Sequence, residues 1–294
     1  MPDTCLKVVE ESGLLNFLLL NLPGKSRTNV KSLLSRKQVI VGNRTQTQFD
    51  FKISPGDEVR IVWERKQEEI TYRGLRILYE DESLIVIDKA AGLLSMGTAK
   101  EKHNTAYSIL SNHVKLQDPQ NRIFILHRLD QGTSGVMMFA RSETVQSALQ
   151  RQWHDNVSER TYIAITEGIV ENDQGRIRSF LKENKALIMY STDDANEGEE
   201  AITNYKVLQR NNGFSMLEVE LETGRKNQIR VHMKDIGHPV VGDKKYGAKL
   251  DPIRRLGLHA MVLAFKHPNQ GKTMRFESAI PESMMSLMKK KFLK

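Results

Sequence analysis

A short polar segment between two apolar runs sets the strongest constraint on how this chain folds. Residues 127–135 read His-Arg-Leu-Asp-Gln-Gly-Thr-Ser-Gly and separate the apolar residues 123–126 from the apolar residues 136–140. The two runs predict buried strands, so the segment between them is a loop held at both ends by the core. Asp130 lies in this loop, and a carboxylate buried there must be paired or it takes up a proton. Loops of this kind are an expected place for catalytic groups.

The chain from residue 76 onward is rich in strand patterns with interspersed helices. Strands are expected at residues 84–87, 135–140, 161–166, 216–221 and 259–265. Helices are expected at residues 143–153, with Ser142 as N-cap, at residues 228–233, and from Pro281 onward.

Residues 1–63 form a separate pattern and predict a small domain of their own. Leucines recur at helical spacing over residues 14–19, and Ser26 can cap a second helix. Strands are expected at residues 38–41 and 58–63. Residues 64–75 are polar and charged, which predicts a linker before a second domain at residues 76–294.

The charge of the chain favours a polyanionic partner. Its formal net charge is +8 and its pI about 9.4, values that suit nucleic acid, an anionic membrane or simply a soluble basic protein. The stretch from residue 24 to residue 44 has no acidic residue, and a basic surface there would gain affinity for phosphates by releasing counterions. We therefore prefer RNA contact to a merely solvated face for its six basic residues: Lys25, Arg27, Lys31, Arg36, Lys37 and Arg44.

Several classes of protein are disfavoured. The single cysteine, Cys5, allows no intramolecular disulfide, and without a Cys-x-x-Cys pair the usual kind of zinc site is not expected. The apolar residues 14–20 are too few to span a membrane and lack the flanks of a signal peptide. We expect a cytoplasmic protein without a membrane partner.

Several segments, taken in order, resemble the large-subunit ribosomal class of pseudouridine synthases (the RluA/RluD type). The loop matches the pattern His-Arg-Leu-Asp-x-x-Thr-Ser-Gly, and the other similar segments are residues 77–96, 160–164, 221–233, 237–247 and 256–260. The first 63 residues resemble a small RNA-binding domain first seen in a small-subunit ribosomal protein. The resemblance implies an α+β fold: a mixed, mainly antiparallel, bent β-sheet flanked by helices and loops, preceded by a small α/β RNA-binding domain.

Two positions depart from the family pattern. Ala90 follows Lys89 where the family usually has proline, which removes a rigid turn but no reactive group. Asn227 stands where the family commonly has histidine, and its amide still donates and accepts hydrogen bonds. We expect altered loop contacts and retained chemistry.

The resemblance implies roles for four residues. Asp130 matches the catalytic aspartate, which attacks the sugar or the base or assists glycal formation, and these routes stay open. Arg230 matches the arginine that pairs with this aspartate. Tyr162 matches the tyrosine that stacks on the target base and can relay protons, and Arg128 matches the arginine that fills the gap left by the flipped base. The reaction needs neither metal nor other cofactor.

By pattern alone, other interpretations remain open. Asp130 could cap a turn, Tyr162 could be a core aromatic, and Arg128 could pair with a neighbouring acid. A serine hydrolase using Ser134 with His127 and Asp130 fails on spacing, because the segment is not Gly-x-Ser-x-Gly and three residues within one short loop rarely form a relay.

The resemblance also sets the expected partner. A nuclease would need a cluster of metal-binding acids, and a catalytically silent ribosome-assembly factor would not need the matched residues. We expect a monomer acting on structured RNA, first on large-subunit ribosomal RNA, with transfer RNA as the alternative.

Overall fold

The computed structural model describes residues 3–35, 38–62, 70–99, 101–211 and 213–289 and divides the chain into two units, Met1–Ile70 and Thr71–Lys294. Of the predicted linker at residues 64–75, residues 64–69 lie outside the described ranges. Its last residues join the second unit, because Thr71–Tyr72 forms a strand that pairs with the strand beginning at Leu75.

The first unit is a small α/β unit with its own core. Leu14, Leu18 and Val30 are buried in it, and Ser26 caps the second helix by accepting a hydrogen bond from the Asn29 amide. Its elements are β1 Thr4–Lys7, β2 Ser12–Gly13, α1 Leu14–Asn21, α2 Arg27–Ser35, β3 Val39–Val41, β4 Arg44–Thr45, β5 Lys52–Ile53 and β6 Glu58–Ile61. Strands β1, β6, β3 and β4 form one sheet in that order, and β2 pairs with β5.

The second unit is rich in strands with interspersed helices, as predicted. Its elements are β7 Thr71–Tyr72, β8 Leu75–Glu80, β9 Leu84–Lys89, α3 Ala106–Gln117, β10 Phe124–Ile125, β11 Ser134–Ala140, α4 Glu143–Arg151, α5 Trp153–Asn156, β12 Val157–Glu167, β13 Gln174–Glu183, β14 Met189–Thr192, β15 Glu199–Asn211, β16 Phe214–Leu221, α6 Gln228–Asp235, a 3-10 turn Lys244–Tyr246, β17 Leu258–Lys266, β18 Thr273–Glu277 and α7 Glu282–Lys289. Ser142 caps α4 as expected, by accepting a hydrogen bond from the Val145 amide.

One large sheet organises the second unit. Its strand order is β14-β13-β15-β16-β12-β17-β11-β9-β8-β7, with β10 also paired to β11 and β18 to β17. Only the pairing of β11 with β17 is parallel among the described strands. The predicted α+β class with a mainly antiparallel sheet is confirmed.

Helices cover both faces of the central strands. Every residue of β11 is buried, so the apolar run after the polar loop lies inside the molecule. In β9, Ile85 and Ile87 pack in the same cluster as residues of α3, whereas Leu84 and Val86 pack with residues of α4. Because successive strand residues point to opposite faces, this burial fixes the register of the strands that hold the polar loop.

A single row of residues crosses four neighbouring strands beside that loop. Tyr162 of β12 pairs with Ala260 of β17, Ala260 with Gly135 of β11, and Gly135 with Lys89 of β9. Gly135 has φ +114°, and a Cβ atom there would come within 2.0 Å of the Ala260 carbonyl oxygen. Only glycine permits this close approach, which holds the end of the loop against β17, the strand that pairs with β12 at Tyr162.

Candidate active site

Asp130 is held by one hydrogen bond from Arg230. The loop that carries Asp130 links β10 to β11, and Arg230 lies on α6, a hundred positions further along the chain. Arg230 Nη1 donates to Asp130 Oδ2 at 2.9 Å, and both side chains are largely buried. No residue in the described ranges donates a hydrogen bond to the other oxygen, Asp130 Oδ1. Among the described residues, the carboxylate is therefore bonded through Oδ2 only.

Arg230 is also gripped by a second carboxylate, that of Asp243. Arg230 Nε donates to Asp243 Oδ2 and Nη2 donates to Asp243 Oδ1, each at 2.7 Å. Burial alone lowers the pKa of Arg230, but its hydrogen bonds and charge interactions with Asp243 and then Asp130 outweigh burial and raise that pKa. Arg230 therefore stays a cation between two acids.

The start of α6 fixes where Arg230 points. Gln228 is buried and donates to the Ile202 carbonyl and to Thr203 Oγ1, which ties the first turn to β15. Asn227, the departure from the family's histidine, has φ +55°, a left-handed conformation that asparagine tolerates better than most residues. The substitution thus suits the turn into the helix.

Tyr162 lies in the row of four strands, half-buried, next to a β-bulge between β12 and β17. Bulges re-aim side chains and are common beside active sites. Burial raises the pKa of Tyr162 to about 12, against the lowering effect of Arg160 and with a further rise from the charge of Asp130. Its hydroxyl is therefore protonated at neutral pH and sits within the electrostatic reach of Asp130.

Lys89, at the opposite end of the same row, was not singled out from the sequence. Its side chain is fully buried, and its ammonium donates to the carbonyls of Ala90, Leu93 and Gln131 at 3.0, 2.7 and 3.4 Å. Burial lowers its pKa to about 8, and the charge of Asp130 opposes that effect. Since Gln131 directly follows Asp130, Lys89 ties the polar loop to the end of β9.

The second departure from the family pattern, Ala90, has a local explanation. The Ala90 amide donates a hydrogen bond to the Gly74 carbonyl at 2.8 Å. Proline has no amide hydrogen and could not make this bond. In this chain a backbone hydrogen bond thus holds the turn after Lys89.

Arg128 and His127 lie on the same loop with different surroundings. The Arg128 side chain is exposed and has no ion pair with any described residue, so the structure gives no support to its interpretation as an ion-pair partner. His127 Nε2 accepts a hydrogen bond from the Met138 amide, and burial, with a contribution from Arg160, lowers its pKa to about 4. A neutral, bonded His127 fits a structural role.

Ser134 is part of a chain of hydrogen bonds. Arg255 Nη2 donates to Ser134 Oγ at 2.7 Å, the hydroxyl lies 2.8 Å from His259 Nδ1, and His259 Nε2 lies 3.1 Å from the Ser278 carbonyl. Its histidine neighbour is thus His259, not His127. A hydroxyl that accepts from a guanidinium is poorly placed to act as a nucleophile, which argues against the hydrolase interpretation.

The structure describes four of the six basic residues between residues 24 and 44, and all four are exposed. Lys25, Arg27 and Lys31 are exposed, and the Lys31 ammonium lies 5.3 Å from the centre of the Phe49 ring. Arg36 and Lys37 lie outside the described residues. In the described parts of the chain, no group of three or more His, Cys, Asp or Glu residues is arranged to hold a metal ion. None of the described helices has the length and the apolar character that a membrane span requires.

Comparison with known proteins identifies relatives over most of the chain. The family model for RNA pseudouridylate synthase matches residues 83–235. An uncharacterized RNA pseudouridine synthase of Bacillus subtilis (strain 168) is 34% identical over 270 residues, covering 90% of this chain and 88% of the relative. The ribosomal large subunit pseudouridine synthase D of Neisseria meningitidis (strain Z2491) is 33% identical over 283 residues, covering 91% of this chain and 75% of the relative.

A solved structure supports the fold. The human RNA pseudouridylate synthase domain containing 4 superposes with a TM-score of 0.59 and 24% identity, covering 72% of this chain and 90% of the human one. Over 72% of this chain, the fold is therefore shared with a solved protein.

Proposed function

Because the chain belongs to the RNA pseudouridylate synthase family and is a pseudouridine synthase, we propose that it isomerises uridines of large-subunit ribosomal RNA, with Asp130 as the catalytic residue. The target is supported by relatives whose names specify the large ribosomal subunit. We further propose that the enzyme is a monomer and works in the cytoplasm.

The isomerisation sets the chemical requirements. The bond from C1′ to N1 of uracil breaks, the base turns, and a new bond forms from C1′ to C5. The proton on C5 leaves and N1 ends protonated, so no atom is lost and no redox step occurs. The enzyme must supply a nucleophile or a stabiliser of charge, and a group that helps move the C5 proton.

The half-anchored carboxylate of Asp130 is the observation that carries the proposed mechanism. One oxygen is fixed by Arg230, while Oδ1 has no protein donor in the described residues and is free to act on the nucleotide. Tyr162 lies on β12, which is separated by β17 from the strand that follows the loop of Asp130. It offers a protonated hydroxyl and a ring on which the uracil can stack.

The position of Arg128 fits its proposed role of filling the gap that a flipped base leaves. A uridine in a helix must leave its stack before its glycosidic bond is reachable, at a cost of about a few kcal/mol. The exposed guanidinium of Arg128, two residues before Asp130, can fill the gap by stacking with its planar face.

Transcriptome-wide mapping of pseudouridine in cells with and without this protein tests the proposed target. We expect one or more sites in large-subunit ribosomal RNA to disappear without the protein and to be restored by the wild-type gene. Changes confined to transfer RNA would overturn the ribosomal target in favour of the alternative.

Replacing Tyr162 with phenylalanine separates stacking from proton movement. Tyr162→Phe keeps the ring and removes the hydroxyl, so RNA affinity should persist while single-turnover product formation falls by about 100-fold or more. Tyr107→Phe, which removes a hydroxyl from an exposed ring on α3, is the matched control and should keep the wild-type rate. A wild-type rate in Tyr162→Phe would leave Tyr162 as a stacking platform only.

The first unit is proposed to supply affinity and the second to supply chemistry. A fragment of residues 71–294 follows the division into two units and retains every proposed catalytic residue. It should fold, bind RNA more weakly, and reach the turnover of the full chain at saturating RNA. The slope of log affinity against log salt should fall by about 0.7–0.9 for each phosphate that the fragment no longer binds.

A matched variant of the full chain checks the same division. Replacing Lys25, Arg27 and Lys31 by glutamine should lower the salt slope in the same direction without altering turnover at saturating RNA. An unchanged slope in both proteins would mean that this basic surface does not touch phosphate. A folded fragment that stays inactive at saturating RNA would mean that the first unit helps to form the site.

A further inference from the structure

We propose that Asp243 is a positioning residue for the reaction, which holds Arg230 so that a single N–H reaches Asp130 and the second oxygen of Asp130 remains available. This inference rests on the proposed roles of Asp130 and Arg230 and adds a third residue to them. Asp243 acts through Arg230 and need not touch the RNA.

The position of Asp243 is fixed by its own backbone. Asp243 is 2% exposed, its amide donates to the Val240 carbonyl, and its carbonyl accepts from the amides of Tyr246 and Ala248. Gly242 precedes it with φ +77°, and a Cβ atom there would come within 2.3 Å of the Arg255 carbonyl oxygen. The carboxylate is therefore presented by a tight turn with little freedom to move.

The guanidinium of Arg230 has little freedom either. Two of its five N–H groups bind the two oxygens of Asp243, in the parallel fork geometry that is favoured for arginine and carboxylate. Its central carbon lies 4.8 Å from the centre of the Tyr246 ring, which covers one face. Held in this orientation, Arg230 donates to Asp130 through Nη1 alone.

This arrangement determines how Asp130 is presented. Without Asp243, Arg230 could turn a two-donor edge towards Asp130 and bind both of its oxygens. A carboxylate held in that way would have no free oxygen for the nucleotide and would lie in a different orientation. Misplacement of a catalytic group by about 1 Å can slow an enzyme about 100-fold.

Charge favours the same conclusion. Asp130, Arg230 and Asp243 together carry one negative charge when both acids are ionised, so Arg230 alone does not neutralise Asp130. Lys89 also interacts with Asp130 through its charge. Its ammonium donates its hydrogen bonds to three carbonyl groups and not to Asp130. With asparagine at position 243, Arg230 would have one carboxylate partner instead of two, and its positive charge would neutralise that of Asp130.

The test compares Asp243→Asn with wild type in single-turnover tritium release from a large-subunit ribosomal RNA transcript labelled at C5 of uridine. We expect the rate at saturating RNA to fall about 100-fold, while the Kd for RNA stays within about twofold. Asp235→Asn removes a carboxylate from α6 that contacts Ser191 and not Arg230, and should keep the wild-type rate. A rate per folded molecule equal to wild type in Asp243→Asn would overturn the inference.

A second variant decides the matter if Asp243→Asn does not fold. Arg230→Lys keeps a positive charge but replaces the planar fork by a single ammonium, which cannot reproduce both the pair with Asp243 and the fixed bond to Asp130. We expect the same fall in rate with unchanged RNA affinity, and a full rate would overturn the inference. Wild-type activity on this RNA and its absence in Asp130→Asn test the proposed function separately, so failure there is distinguishable from failure here.

Discussion

Asp130→Asn is expected to abolish isomerisation while leaving RNA binding nearly unchanged. The change removes the charge and the free oxygen of the carboxylate but keeps its size, and Arg230 can still donate to the remaining amide oxygen. Removal of a nucleophile or charge stabiliser should slow single-turnover tritium release more than about 1,000-fold. One carboxylate contributes nothing favourable to phosphate binding, so the Kd for RNA should stay within about twofold.

A second aspartate serves as the control for a purely structural role. Asp118 accepts a hydrogen bond from the Gln120 amide and so caps a turn, which is the alternative interpretation of Asp130 from the sequence. Asp118→Asn should retain the wild-type rate. Substantial residual isomerisation by Asp130→Asn would show that the catalytic residue lies elsewhere.

Arg230→Met is expected to remove activity and stability together. Methionine leaves Asp243, whose side chain is 1% exposed, and Asp130 close together without the cation between them. Removing one partner of a buried pair costs about 3–5 kcal/mol. For a unit of this size that corresponds to a fall in the thermal midpoint of about 6–20 °C, measurable by circular dichroism on the same samples used for tritium release.

The surface pair of Arg176 and Glu222 provides the comparison. Arg176 also binds a carboxylate through two donors, but its side chain is 52% exposed and that of Glu222 is 44% exposed. Arg176→Met should therefore leave both the thermal midpoint and the activity close to those of the wild type. If Arg230→Met kept both the wild-type thermal midpoint and the full rate, the pairing would have no part in the fold or in the reaction.

Local sequence determined the elements that hold the site. The apolar runs on either side of the polar loop predict buried strands. β11 is buried along its whole length, whereas β10 has only two residues and both are half-buried. The N-cap serines Ser26 and Ser142 were identified because a short hydroxyl before an apolar helical pattern has one favourable use, to accept a backbone amide. Such preferences act over a few residues, so the sequence states them directly.

The pair of Asp130 with Arg230 was predicted in a different way. Neither residue is recognisable as a partner of the other from its neighbours, since they lie a hundred positions apart. Only the resemblance of the two segments to one family predicts that they pair. Without the family resemblance, the sequence predicts only that Asp130 caps a turn and that Arg230 lies between two apolar neighbours.

Tertiary structure alone decided how the site is assembled. The row that aligns Tyr162 with Gly135 and Lys89 depends on β12, β17, β11 and β9 being neighbours, and no local pattern specifies that order. Asp243 lies in the loop after α6 and binds Arg230 on that helix. Lys89, at the end of β9, binds the Gln131 carbonyl in the polar loop. The sequence determines which segments are strand, helix or loop through short-range preferences and burial. Distances between distant side chains follow only from the packing of the whole sheet, because that packing fixes the register of every strand at once.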